Sequence, residues 1–340
     1  MMRLARVPIT FTAVTAALAV VVGSVVYTAA KEGGNPFIDH ADTGELIHVL
    51  PTPASIRSPH DMQPTEAPPA NGTAVYTASY GSGKLVDHGG NEIAKVAFTG
   101  IYWNTKVSDS QQTSLGYGTI TDQIQAFVSQ FPDNNNWSNS TLDDYTIVQQ
   151  YGSHSPIAPT IPVDIYLDNQ PSQSSISDSS IRKYLTNLFA NGKLQPAANM
   201  VYGIYFPPGM KVTLQGGASC SSFCGYHSHF TYNGIQIKYA SFPYLNCSGC
   251  SLAGKSVADM LTIVTSHEIR EAVTDPGDNN VNAWYDAAGY EADDKCAWHN
   301  LYQMTTGGFW VQPEYSNGGT ITASGFTATY PGPGCVVPNR

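Results

Sequence analysis

The stretch from Ser256 to Pro276, SVADMLTIVTSHEIREAVTDP, constrains the fold more than any other part of the chain. Both ends of a helix are legible in it. Ser256 with Asp259 three residues on has the spacing of a capping box, and Pro276 stops a helix at Asp275. At about 100° per residue, Val257, Met260, Leu261 and Val264 form an apolar stripe that runs directly into His267, Glu268 and Glu271. The polar cluster therefore sits on the buried face of an amphipathic helix. Burying a carboxylate without a partner costs several kcal/mol at least, so this face needs a cation or a wet cleft. A solvated charged face shared with Arg270 would carry no such demand. Glutamate is scarce, however: only eight occur in 340 residues, and three of them lie between Glu268 and Glu291.

His267 and Glu271 stand four residues apart, about 40° round a helix, so both can grip one ion while Glu268 lies beside it to take a proton from a water. The pattern is similar to that of HExxH metallopeptidases, with Glu in place of the second His. Asp275, Asp286, Glu291, Asp293 and Asp294 crowd the residues just beyond. They form either an acidic surface loop or the rest of the site. In thermolysin-like zincins the third ligand is a Glu about twenty residues past the second, followed by an Asp that orients a ligand. Glu291 and Asp294 resemble that arrangement. Asp275 competes as an alternative ligand by continuing the four-residue series, although Pro276 disfavours helical backbone there. His227 is a candidate transition-state donor or extra ligand, with a structural histidine beside a disulfide as the alternative. Its neighbour His229, together with Tyr285 and His299, is a weaker candidate.

Arg3 and Arg6 precede the nearly uncharged run FTAVTAALAVVVGSVVYTAA, so residues 1–30 read as a signal peptide or signal anchor. Thr28 and Ala30 offer a cleavage site, and cleavage is the preferred reading. Membrane contact is expected only through this segment if it stays attached. Residues 31–72 are rich in Pro, Ala, Thr and Ser without a sustained apolar period, which suggests a linker or propeptide. His40, His48 and His60 fall in it and read as solvated. Residues 73–340 are then long enough for a single domain. With 12% charged residues and a net charge of −10, the chain is a poor partner for nucleic acid.

Cys220, Cys224, Cys247, Cys250, Cys296 and Cys335 all lie in the last third of this exported chain, and an even count reads as three disulfides. A zinc knuckle on the Cys220/Cys224 and Cys247/Cys250 spacings is the alternative. The preferred pairing joins Cys296 to Cys335 and leaves the first four to pair among themselves. Asn71, Asn136, Asn139 and Asn246 head glycosylation sequons.

Between these landmarks strands and helices alternate. The run from Ala94 to Trp103 is a buried strand, followed by a helix from Thr119 or Thr121 to Phe131 and a short helix around Leu142 to Tyr151. A strand from Val163 to Asp168, a helix from Ser177 to Asn191 and a strand from Met200 to Phe206 come next. The fold class is therefore α+β: a mixed β-sheet packed by helices, with a zincin-like active-site helix and a disulfide-stapled C-terminal part.

Several pieces resemble the phosphate-induced, EXORDIUM-like family of secreted proteins, especially its microbial members. They are HGG at His88 to Gly90, FCGYH at Phe223 to His227, NCSGC at Asn246 to Cys250, SHEIREAVTDP, NAWYD at Asn282 to Asp286 and YEADDKCAW at Tyr290 to Trp298. The resemblance implies a secreted or cell-wall location and no established reaction. Together with the helix motif it leads to one expectation: a secreted zinc-dependent hydrolase, a zincin-type peptidase acting on peptide or protein substrates, with cell-wall components as further partners. Glu268 serves as base, His227 as donor, and His267, Glu271 and Glu291 as metal ligands. One His with two carboxylates makes a more anionic site than two His with one, so Mn or Ca could replace Zn. The alternative is a non-enzymatic wall protein whose ion only braces the fold. A glycosidase reading of Glu268 and Glu271 fails on geometry, because such pairs face each other across the sugar.

Overall fold

Alternating β-branched and aromatic runs pair into one seven-stranded mixed sheet in the computed structural model, which describes residues 34–56, 73–132, 144–154, 156–158, 160–278, 281–323 and 326–338. In chain order the strands are β1 (Ile38–His40), β2 (Leu46–Pro51), β3 (Ala97–Tyr102), β4 (Val163–Leu167), β5 (Met200–Tyr205), β6 (Phe223–Tyr232) and β7 (Ile235–Phe242). Across the sheet they run β1, β2, β6, β7, β5, β3, β4. The last four are mutually parallel, and the other neighbours are antiparallel. Three helices pack on this sheet: α1 (Ile120–Gln130), α2 (Asp178–Ala190) and α3 (Val257–Thr274). The expected α+β architecture is the observed one, with its elements within a few residues of the sequence reading. The short helix before Tyr151 is a 3-10 turn, Thr146–Tyr151.

The capping box on α3 closes as its spacing predicts. Asp259 N donates to Ser256 Oγ at 3.1 Å, and Ser256 N donates to Asp259 Oδ2 at 2.9 Å. Every residue of α3 is buried, however, so the helix is not amphipathic in its surroundings. One side lies on β6 and β7, and the rest is covered by α1 and the hairpin of Tyr302–Gln303 with Trp310–Val311. Its polar groups must therefore find partners inside the protein. Thr262 Oγ1 does so by donating to the Trp310 carbonyl at 2.7 Å.

Side chains alternate along β6, so Gly225 and His227 face α3 while Tyr226 faces the opposite side. There the Tyr226 hydroxyl donates to Asp178 Oδ1 at 2.8 Å, at the start of α2. Gly225 is what lets α3 approach: a Cβ at this position would sit 2.4 Å from Val264 Cγ1. The β6–β7 hairpin turns at Asn233 and Gly234, with φ of 48° and 81°. Asn-Gly between alternating apolar runs is the strongest short-range hairpin signal, and the run FTYNGIQIKY carries it, a signal the sequence reading missed.

Residues 34–56 correct the reading of this part of the segment as a linker. They form β1 and β2, and β2 pairs with β6 so that Leu50 lies opposite Gly225 and His48 opposite His227. Phe37, Ile47, Val49 and Leu50 are buried in the main core. The apolar run LIHVL is too short to register as a period among Pro and Thr, yet a strand needs no more than about five residues. Residues 33–340 accordingly make one unit. The export segment and His60 lie outside the described residues; among those described, no helix is long and apolar enough to cross a membrane. A chain beginning at Thr73 would strip β6 of one of its two partners and leave buried backbone groups unpaired. It is expected to fail to fold, as read by far-UV circular dichroism and gel filtration. A folded, monodisperse product would show that the hairpin is dispensable.

Three disulfides staple the C-terminal part: Cys220–Cys247, Cys224–Cys250 and Cys296–Cys335. Each contributes on the order of 2–4 kcal/mol by constraining the unfolded chain. The first two hold the segment before α3 against β6. The third ties the acidic segment after α3 to the C-terminal strand Gly334–Val337, which also pairs with Ala74–Tyr76. No cysteine remains for a zinc knuckle. Among the sequons, Asn246 is exposed, and Asn71, Asn136 and Asn139 lie outside the described residues.

Candidate metal centre

Four segments that are distant in sequence converge above β6. Helix α3 supplies His267, Glu268 and Glu271, the segment after it Asp275, Glu291 and Asp294, β6 His227, and β2 His48. At one end His267 Nε2 lies 2.9 Å from Glu271 Oε2 and 3.7 Å from Asp294 Oδ1. At the other end His48 Nδ1 lies 2.9 Å from Glu291 Oε2. His227 stands between them, with Nδ1 3.2 Å from Glu268 Oε2 and 3.8 Å from Glu271 Oε2, and Nε2 3.8 Å from Glu291 Oε2. Backbone amides hold the carboxylates in place: Asp294 N donates to Glu271 Oε1 at 2.9 Å, and Glu291 N to Asp294 Oδ2 at 3.0 Å.

The decisive feature is what these atoms do not do. His48 Nδ1, His267 Nε2, Glu268 Oε1 and both Glu291 carboxylate oxygens are buried without a hydrogen-bond partner, although His48 and His267 each stand 2.9 Å from a carboxylate oxygen. They meet without the alignment of a hydrogen bond. A buried polar atom left this way costs about 1–3 kcal/mol, more when charged, and a cation placed among the members of the cluster would relieve that cost. In the protein by itself, burial together with Glu271 and Asp294 drives the Glu268 carboxyl far above its ordinary range. Burial likewise raises Glu271, Glu291 and Asp294, and lifts Asp275 to about 7. It pushes His48 and His267 down to about 4. A group of neutral imidazoles and reluctant carboxylates is what a divalent cation would stabilise in its deprotonated form.

Groups behind the cluster position it. Arg270, fully buried, donates to the Asp293 carboxylate, to Asp144 O at 3.1 Å and to Gln312 O at 2.9 Å. The Gln312 amide contacts Asp293 Oδ1 and His267 Nδ1, each at 3.0 Å. Placed this way, Gln312 Nε2 donates to His267 Nδ1 and leaves the ring proton on Nε2; coordination through Nε2 would require the amide turned so that its oxygen accepts from Nδ1–H.

A cleft of about 940 Å³ opens beside the centre, with His48, His227, Asp275 and Tyr285 in its wall. His227 and Asp275 are thus both at the site. Asp275 Oδ1 accepts from Ala283 N at 2.7 Å, while Oδ2 has no partner. Tyr285 stacks on His88 with ring centroids 3.5 Å apart, and His229 lines the cleft against Gly277. His299 is elsewhere, contacting the Tyr80 hydroxyl at 3.2 Å. Asp286 pairs with Lys295 at 2.5 Å and Asp293 with Arg270, so neither faces the cluster. The acidic segment is not a surface loop, since Glu291, Asp293 and Asp294 are all buried.

His48 is a second correction. It is 14% exposed and points into the centre, where the composition of its segment suggested a solvated residue. The one available signal was a histidine inside an apolar strand-like run. His40 is exposed as expected. No family model matches the chain, and no curated protein or solved structure does either.

Proposed function

We propose that the chain is a secreted zinc-dependent hydrolase of the peptidase type. The observation that carries this reading is the convergence of buried, unpartnered histidine and carboxylate atoms from α3, β6, β2 and the acidic segment. Imidazole nitrogens in the donor set favour zinc or manganese over calcium, which prefers oxygen alone. His267 and Glu271 would hold metal at one end of the cluster and Glu291 at the other, beside His227 and His48. When bound, zinc supplies Lewis acidity toward a carbonyl and brings the pKa of a water toward neutrality. Glu268 takes the proton at Oε1 or Oε2, a task suited to a carboxylate whose affinity for protons is raised by burial. His227 Nδ1, 3.2 Å from Glu268 Oε2, orients that carboxylate and presents the same ring to the cleft. Three disulfides with no free thiol suit an oxidising, exported setting. The resemblance to EXORDIUM-like proteins makes the cell wall the first place to seek a substrate.

A second reading has its own support. His267, Glu268 and Glu271 are fully buried, so an ion lodged among them could brace a non-enzymatic extracellular protein.

Elemental analysis of the exported protein, run beside a peptide-library cleavage assay with and without chelator, separates these readings. Stoichiometric metal with chelator-sensitive cleavage is expected. Metal without any cleavage supports the bracing ion, and neither removes both. Chelation should also make stability depend on pH. In the metal-free protein the carboxyl pKa values are raised, so their contribution is full below about pH 4 and is lost as pH rises through the folded values, about 7 for Asp275. His48 and His267, lowered to about 4, act in the opposite direction only between about 4 and 6.5. Above that the carboxylates alone count. The melting temperature of chelated protein should therefore fall from about pH 6.5 to 8 while that of metal-loaded protein holds.

A further inference from the structure

We infer that the centre takes two divalent cations: an inner one among His267, Glu271 and Asp294, and an outer one among His48, His227 and Glu291 that faces the cleft. The inference rests on the metal reading above and says how many ions that site holds and which of them a substrate meets.

The donors do not gather round one point. Atoms lying within 4.8 Å of one another fall into overlapping groups: His267 with Glu268 and Glu271, His227 with Glu271 and Glu291, and His48 with Glu291 and Asp294. Glu271 belongs to the first two and Glu291 to the last two, and Asp294, grouped with His48, also lies 3.7 Å from His267 Nε2, so carboxylates stand where the groups meet. The unpartnered nitrogens mark its ends. His267 Nε2 sits 2.9 Å from Glu271 and His48 Nδ1 sits 2.9 Å from Glu291, each beside a different carboxylate. Zinc takes about four ligands, and these residues offer more than one ion can use. A pair of ions about 3.5–4 Å apart, with a carboxylate between them, is an established way of using such a set.

Charge leads to the same count. Glu268, Glu271, Glu291 and Asp294 are buried together, while the nearest cationic side chains, Arg270 and Lys295, are engaged by Asp293 and Asp286. With Asp275 beside them, these carboxylates would carry more negative charge than one divalent cation matches, and a second would offset most of the remainder. Burial then divides the labour. His267, Glu271 and Asp294 are sealed from solvent, whereas His48 and His227 form part of the cleft wall. The inner ion holds α3 to the acidic segment, and the outer one is within reach of a substrate. The N-terminal hairpin thereby contributes to the site itself.

The test is metal stoichiometry of the full exported chain reconstituted with zinc, by native mass spectrometry and elemental analysis. Two zinc ions per chain are expected, falling to one in His48→Ala with the circular dichroism spectrum retained. Reconstitution with manganese should give the electron paramagnetic resonance spectrum of a spin-coupled pair. A wild-type chain that saturates at one ion overturns the two-ion centre and leaves the metal reading standing; a chain that binds none overturns both. Two ions retained in His48→Ala overturn the outer site. Should that variant not fold, the wild-type count and the manganese spectrum still decide.

Discussion

Glu268→Gln is expected to leave the fold and the bound metal intact and to lower hydrolysis by at least about a hundredfold, the scale of a lost general base. The amide keeps the volume of the side chain in a site where Gly225 and Val264 leave no slack, so packing should not change. It also keeps an oxygen that can face His227 Nδ1, now 3.2 Å from Glu268 Oε2. What it loses is the capacity to take a proton, which burial and the neighbouring Glu271 and Asp294 have raised far above that of an ordinary carboxylate. His267→Ala is the informative companion. It removes a nitrogen that aims into the cluster, so metal and activity should fall together. Hydrolysis undiminished in metal-loaded Glu268→Gln would take the base role away from Glu268 and with it the mechanism proposed here.

Arg270→Met is expected to cost about 3–5 kcal/mol of stability, the scale seen when one member of a buried ion pair is removed. Arg270 is fully buried, pairs with Asp293 and lies 3.8 Å from Glu314. Methionine fills much of the space but leaves both carboxylates without a cation, and two carbonyls without a donor. The effect should reach the metal, because Asp293 accepts from the Gln312 amide that touches His267 Nδ1. Loosening such a support typically costs 10–100-fold in affinity. Urea unfolding of metal-loaded protein and a zinc-competition titration measure the two effects. Adding Asp293→Leu to Arg270→Met should recover part of the stability, since both charges are then gone. A loss below about 1 kcal/mol in the single variant would mean that Asp293, already raised by burial, simply takes up a proton.

Much of the centre was legible before any coordinates. The helix from Ser256 to Asp275 could be read because its signals are local: a cap three residues from its acid, a stripe at helical spacing and a proline stop. That stripe placed His267, Glu268 and Glu271 inward, and the scarcity of glutamate elsewhere made the placement informative. The strand and helix alternation from Ala97 to Tyr205 was legible for the same reason, since period and punctuation act within a dozen residues. The even count of cysteines behind a segment read as an export signal implied disulfides, though not which of the first four pair, because spacing in sequence does not set distance in space.

What the sequence by itself determined, then, is the helix, the kind of sheet it lies on and the chemistry of the residues on its inner side. Only the tertiary structure decided who joins them. His48 reaches the centre because β2 pairs with β6 in a register that sets His48 opposite His227, and that register depends on backbone contacts between segments about 180 residues apart. Arg270 is internal because Asp144, Asp293, Gln312 and Glu314 close over the side of α3 that periodicity alone assigns to solvent. Periodicity reports how a helix faces its first neighbour. The burial of its remaining sides, and the meeting of donors from four distant segments, are set by packing that exists only once the whole chain has folded.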